Sequence, residues 1–206
     1  MSYHPILFSA LMVRAILDGS KTMTRRVMKI QPPDASYQLA QCMSTTGRKR
    51  DEGRLHWLKC EGVRVIDGAG AYFDCPYGHP GDRLWVRETF VPHLCFGLDE
   101  EIIHYRADSE SCSIDGTTLK RWKPSIFMPR WASRITLEVV SVRVERVQDI
   151  THEDAIREGC KPHPLQDSQT VNGDFETLWD SINAKRGLGW SQNPWVWVVE
   201  FRRITP

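Results

Sequence analysis

The sequence predicts an α+β protein built on a small mixed β-barrel with flanking helices. Three observations carry this reading. Residues 83–88 and 135–147 alternate polar and apolar positions at period two, and Trp195-Val196-Trp197-Val198-Val199-Glu200-Phe201 is apolar enough to lie between two neighbouring strands. The run Ile135, Leu137, Val139 and then Val142, Val144, Val147 slips once, as a bulge does where a sheet curls. Two other segments space their apolar residues for helices: Leu11, Met12, Ala15 and Ile16 near the start, and Phe175, Leu178, Trp179 and Ile182 near the end.

Taken in order, Ile6-Leu7-Phe8 is a first strand and Ser9 the N-cap of a helix that stops at Asp18-Gly19, where glycine permits a sharp turn. Gly19-Ser20-Lys21-Thr22-Met23-Thr24-Arg25-Arg26 follows as a basic turn, placing Lys21 and Thr24 just past a helix end. From Arg14 to Lys29 the basic residues Arg14, Lys21, Arg25, Arg26 and Lys29 face a single acid, Asp18. Residues 31–77 read as an insertion of hairpins and loops, with strand signals at 55–58, 63–66 and 71–73 and an exposed loop over 45–53. Pro80-Gly81-Asp82 turns the chain into the strand Arg83-Leu84-Trp85-Val86-Arg87-Glu88, and Ile102-Ile103-His104-Tyr105-Arg106 is a further strand. Thr151 caps a short helix with Asp154 at its third position. That helix ends at Glu158-Gly159, setting Glu158 where the dipole disfavours a negative charge. A last surface helix spans 174–183.

Composition narrows the function. The chain has 206 residues, 41% hydrophobic and 26% charged, which suits one globular domain. Neither a membrane span nor a secretion signal is visible, so a cytoplasmic monomer is expected. The six cysteines (Cys42, Cys60, Cys75, Cys95, Cys112, Cys160) contain no Cys-x-x-Cys pair, and they read as idle thiols rather than metal ligands. A net charge of +1 argues against coating nucleic acid by bulk electrostatics. Locally, however, residues 120–134 hold Lys120, Arg121, Lys123, Arg130 and Arg134 with no acid, interleaved with Trp122, Phe127 and Trp131. Cations beside flat apolar rings suit a single-stranded or flipped-out nucleotide, and a solvated charged face over core tryptophans is the plainer alternative.

Four segments together resemble the ASCH family of the PUA-like superfamily, in particular its larger phage and prophage members. They are Gly19 to Arg26, with its Lys-Thr-x-Thr-x-Arg turn; Gly81 to Glu88; the Ile-Thr-x-Glu-x-Ala-x-x-Glu-Gly helix from Ile150 to Gly159; and Trp195 to Phe201. The resemblance implies a small β-barrel with a cleft for RNA or a modified nucleoside. It also implies an amidohydrolase that removes the acetyl group from N4-acetylcytidine, with Lys21, Thr24 and Glu158 as catalytic residues.

Amide hydrolysis needs a nucleophile, a base, an acid for the leaving amine and donors for the oxyanion. Lys21, Thr24, Glu158 and the arginines can fill those roles without a metal or cofactor. Arg25 and Arg26 are the electrostatic part of the turn. Trp85, Arg87, Glu88, Tyr105, Lys123, Arg130 and Trp131 are candidates for binding substrate or nucleic acid. The rival reading is an RNA or modified-nucleotide binding module without chemistry. A nuclease would need a metal-binding carboxylate cluster, and none is spelled out.

Overall fold

A computed structural model describes residues 1–41, 54–61, 64–94, 101–109, 113–114, 117–118, 121–160 and 168–204. The chain divides into two compact units, one formed by residues 1–27 and 77–206 and the other by residues 28–76. The first unit begins with β1 (Tyr3–Leu7), α1 (Ala10–Leu17) and β2 (Met23–Val27). The second unit is a three-stranded antiparallel sheet of β3 (Tyr37–Gln41), β4 (Leu55–Glu61) and β5 (Arg64–Phe73), in that order. Trp57 is fully buried and tilts against Phe73 at 6.0 Å, while its indole N–H donates to Ile30 O at 3.1 Å. The expected insertion is thus a folded sheet of its own, and the two signals at 63–66 and 71–73 belong to one strand. The predicted loop at 45–53 lies outside the described residues.

The first unit resumes with β6 (Arg83–Arg87), the hairpin β7 (Phe90–Leu94) and β8 (Glu101–Tyr105), and the two-residue strands β9 (Ser113–Ile114) and β10 (Thr117–Thr118). It closes with β11 (Thr136–Arg146), α2 (His152–Arg157), α3 (Ser168–Asn183) and β12 (Trp195–Ile204). Its main sheet has five strands in the order β1-β6-β11-β12-β2. β1 runs parallel to β6, and the other neighbours are antiparallel. The slip read from the sequence is a register shift between Val139 and Ser141 in the β11–β12 pair.

The architecture is α+β, as expected, but the sheets are open and the closed barrel is not formed among the described residues. β1 and β2 remain its edges. One side chain spans them, because Arg26 on β2 donates from Nη2 to Leu7 O on β1.

Pleating sorts the side chains. Met23, Arg25, Val196 and Val198 face α2 and α3, where Met23, Val196, Val198, Ala155, Phe175 and Trp179 form one buried cluster. Thr24, Arg26 and Val199 face the other side, which Phe201 and Phe8 line with rings 6.1 Å apart. Ile182, expected in the apolar stripe of the last helix, is 52% exposed because that helix turns only its Phe175–Trp179 edge to the sheet.

Candidate active site around Lys21 and Glu158

Two helix ends deliver Lys21. Ser9 caps α1, and Gly19 at φ +82° turns the chain back so that Lys21 N donates to Ala15 O at 2.9 Å. Thr22 N then donates to Arg157 O at the end of α2, also at 2.9 Å, and Thr22 O accepts from Phe201 N. Lys21 therefore sits in a link pinned to two helices and a strand before β2 begins. Thr24, predicted on the turn, lies inside β2 opposite Val199.

Glu158 is the C-cap of α2, as the capping pattern predicted. Thr151 Oγ1 accepts from Asp154 N at 3.1 Å to start the helix, and Gly159 at φ +96° ends it. A Cβ on Gly159 would lie 3.3 Å from Ala15 Cβ and 3.5 Å from Lys21 Cβ. Glycine thus supplies both the left-handed backbone and the clearance that bring α2 against Lys21.

The two residues meet in the interior. Lys21 is 2% exposed and Glu158 4%. Lys21 Nζ donates to Glu158 Oε2 at 2.7 Å, to Glu158 O at 2.7 Å and to Met23 O at 2.8 Å, so every proton of the ammonium is committed. Burial drives the Lys21 pKa below its ordinary 10.5; the Glu158 carboxylate opposes that shift and the Arg26 charge adds to it. Glu158 Oε1 is buried without a hydrogen-bond partner, with Arg25 Nη1 3.7 Å away. Beside the pair, burial first and then Glu158 push the Cys160 thiol up to about 11.

Arg25 differs from its expected role. Its side chain is fully buried, and Nη2 donates to Asp154 Oδ2 at 2.6 Å and Glu145 Oε2 at 3.1 Å. Arg143 completes the network, donating to Asp154 Oδ2 at 2.9 Å, to Glu200 Oε1 at 2.6 Å and to Glu145 Oε1. Arg25 is committed to these carboxylates, leaving it no exposed face for a phosphate. Asp154, read as a cap acid, is instead a partner of both arginines.

Arg26 forms no ion pair among the described residues. Its guanidinium lies over the Phe8 ring at 5.0 Å, its Nε is buried without a partner, and Lys21 Nζ approaches the same ring at 5.7 Å. Thr24 is buried on the strand face it shares with Arg26. None of the Lys21 ammonium bonds goes to Thr24.

The other candidates lie in two further groups, and the hydrogen bonds and ion pairs of Lys21 and Glu158 involve none of them. Glu88 is buried and grips Arg134 through both oxygens, at 2.9 and 3.1 Å, and Arg134 also pairs with Asp108. Burial raises the Glu88 pKa against the pull of Arg134. Tyr105 donates to Ala132 O at 2.8 Å beneath the Arg134 guanidinium, 3.9 Å from its ring. Glu88 and Tyr105 thus brace the segment around 130–134 rather than open a pocket. Trp85, Arg87, Lys123, Arg130 and Trp131 form the other group, on an outer surface. Lys120 lies outside the described residues.

Sequence reasoning missed Phe8, Arg143, Glu145 and Glu200. The last three lie on strands as the polar members of an alternating pattern, which was signal enough to place them on one face. Comparison with protein-family models, curated proteins and solved structures finds no match.

Proposed function

We propose that the protein is an amidohydrolase that cleaves the acetyl amide of an N4-acetylcytidine-type nucleoside to cytidine and acetate, with Lys21, Thr24 and Glu158 at its centre. The observation that carries the reading is the Lys21–Glu158 contact at 2.7 Å, made between two buried side chains 137 residues apart in sequence. The acyl-nucleoside substrate and a PUA-like assignment of the fold follow from the motif resemblance.

The ammonium has no lone pair while its protons are all donated, so Lys21 must lose one before it can act as a base. Glu158 Oε2 is the acceptor in place, and transfer across that hydrogen bond yields a neutral amine and a carboxylic acid, a form favoured by burial. The amine then takes the proton of the attacking hydroxyl, from Thr24 or from water, as oxygen bonds to the acetyl carbon. Arg26, which forms no ion pair among the described residues, supplies positive charge for the developing oxyanion. Collapse breaks the C–N4 bond while the Glu158 acid protonates the departing amine. With Thr24 as nucleophile, an acetyl-threonine forms and water hydrolyses it to acetate.

The test is release of acetate and cytidine from N4-acetylcytidine by the purified protein. Turnover lost in Lys21→Ala and in Glu158→Gln supports the reading. A wild-type protein without turnover, or a Lys21→Ala variant as active as wild type, rejects it.

A further inference from the structure

The outer side of the main sheet differs between its two ends. α2 and α3 cover its outer side at the β12–β2 end. At the β1–β6 end the same side carries Tyr3, Arg83, Trp85 and Arg87, because β1 and β6 pair Tyr3 with Arg83 and Leu7 with Arg87. The Arg130 guanidinium stacks 4.0 Å from the Tyr3 ring and 6.0 Å from Trp85, Arg87 lies 5.3 Å from Trp85, and Arg83 lies 5.7 Å from Tyr3. The result is a ladder of alternating rings and guanidinium planes.

Among the described residues, the charges on this ladder lack counterions. Arg83, Arg87 and Arg130 form no ion pair among the described residues, whereas Arg25, Arg134, Arg143 and Arg202 each hold carboxylates. Glu138, opposite Arg83, is taken by Arg202 at 3.0 Å. Arg87 Nη2 also donates to Ile126 O, which ties the ladder to the turn carrying Phe127. There the surface opens into a cleft of about 790 Å³ lined by Phe90, Arg121, Trp122, Lys123, Phe127 and Trp131. Phe127 and Trp131 are 69% and 66% exposed. Large rings this open cost solvation unless something flat covers them, and unpaired guanidinium groups favour phosphate.

We propose that this ladder and cleft bind a single-stranded nucleic acid, with bases stacked on Trp131, Phe127 and Tyr3 and phosphates on Arg83, Arg87, Arg130 and Lys123. Charge complementarity selects the ligand: cations without carboxylates suit a polyanion, and interleaved open rings suit unpaired bases rather than a duplex. The proposal does not rest on the hydrolase reading, since it uses none of Lys21, Thr24 or Glu158.

Fluorescence anisotropy with labelled oligo(rU) and oligo(dT) of about twelve nucleotides, and a duplex of equal length, tests it. Saturable binding of at least one single strand, tighter than of the duplex, is expected, and the two strands separate an RNA from a DNA preference. Trp131→Ala and Phe127→Ala, both at exposed positions, should each weaken binding by about tenfold. Arg87→Gln with Arg130→Gln should flatten the slope of log K against log salt by about 1.4, two phosphates at ~0.7 each on single strands. No saturable binding at low salt, equal affinity for strand and duplex, or ring variants that bind like wild type would overturn it. So would a dimer that Trp131→Ala dissolves in the absence of oligonucleotide binding.

Discussion

Lys21 reaches Glu158 by two routes, donating from Nζ to both its side-chain Oε2 and its backbone carbonyl at 2.7 Å. The side-chain bond can exchange a proton, whereas the carbonyl bond can only hold position. A single lysine thus closes α2 against the start of β2 and, in the proposed mechanism, also serves as half of an acid–base pair, and the two duties are separable by substitution.

Removing either partner strands a buried charge. Lys21→Met is expected to lower stability by about 3 kcal/mol, read from urea melts. Glu158→Gln keeps the amide oxygen as an acceptor and so should lose less stability than Lys21→Met while losing as much amidohydrolase activity. Equal activity in Glu158→Gln and wild type would leave the pair a structural pin.

The pH profile has a defined direction. In the proposed mechanism the competent pair holds one proton, shared between amine and carboxylate, and loses it as pH rises through the Lys21 pKa. Since burial sets that pKa below 10.5, kcat/KM is expected to fall on an alkaline limb centred below 10.5. A profile flat up to pH 10.5 contradicts a role for this proton.

Cys160 offers a stability measurement. Its thiol titrates near 9.0 when unfolded and near 11 in the fold, so between these values the native state holds a proton that the unfolded chain has lost. This contribution is therefore complete below pH 9.0 and disappears as pH climbs toward 11. The stability of wild type minus that of Cys160→Ala should drop by roughly 2 kcal/mol across that window. A constant difference would show that the thiol is not held protonated.

At Gly159, alanine must adopt a left-handed backbone and press its Cβ to 3.3 Å from Ala15 Cβ. Gly159→Ala is expected to cost about 1–2 kcal/mol in thermal unfolding and to reduce turnover, because the displaced α2 end carries Glu158. Unchanged turnover at reduced stability would place Glu158 outside the chemistry.

Arg25→Met leaves Asp154 and Glu145 with Arg143 alone. A loss of about 3 kcal/mol is expected, with Asp154→Asn recovering part of it in the double variant. Strict additivity of the two changes would show that the residues do not share a network.

Much of this fold was legible in local patterns. Ser9, Gly19, Thr151 and Gly159 mark helix ends by chemistry that acts over a few residues, and the slip after Val139 announced the bulge. What stayed hidden depended on which strands pair. The edge positions of β1 and β2, and hence the open sheet, follow from strand order, which no local periodicity encodes. The site was legible in part for the same reason. Lys21 and Glu158 stood out as chemical types in unusual places, whereas Arg25, one residue from Arg26, reads identically in sequence. Only the pleat separates them, sending Arg25 toward the carboxylates of β11 and α2 and Arg26 toward Phe8.

The Arg26 bond to Leu7 O bears on how the molecule avoids its own kind. A bare strand edge is a template on which a second chain can add a strand, and the main sheet has two. By occupying the Leu7 carbonyl from β2, one guanidinium removes an acceptor from the β1 edge and holds the two edges toward each other, away from strangers. Loss of that side chain would be felt less as lost stability than as lost solitude, with aggregation that grows with protein concentration.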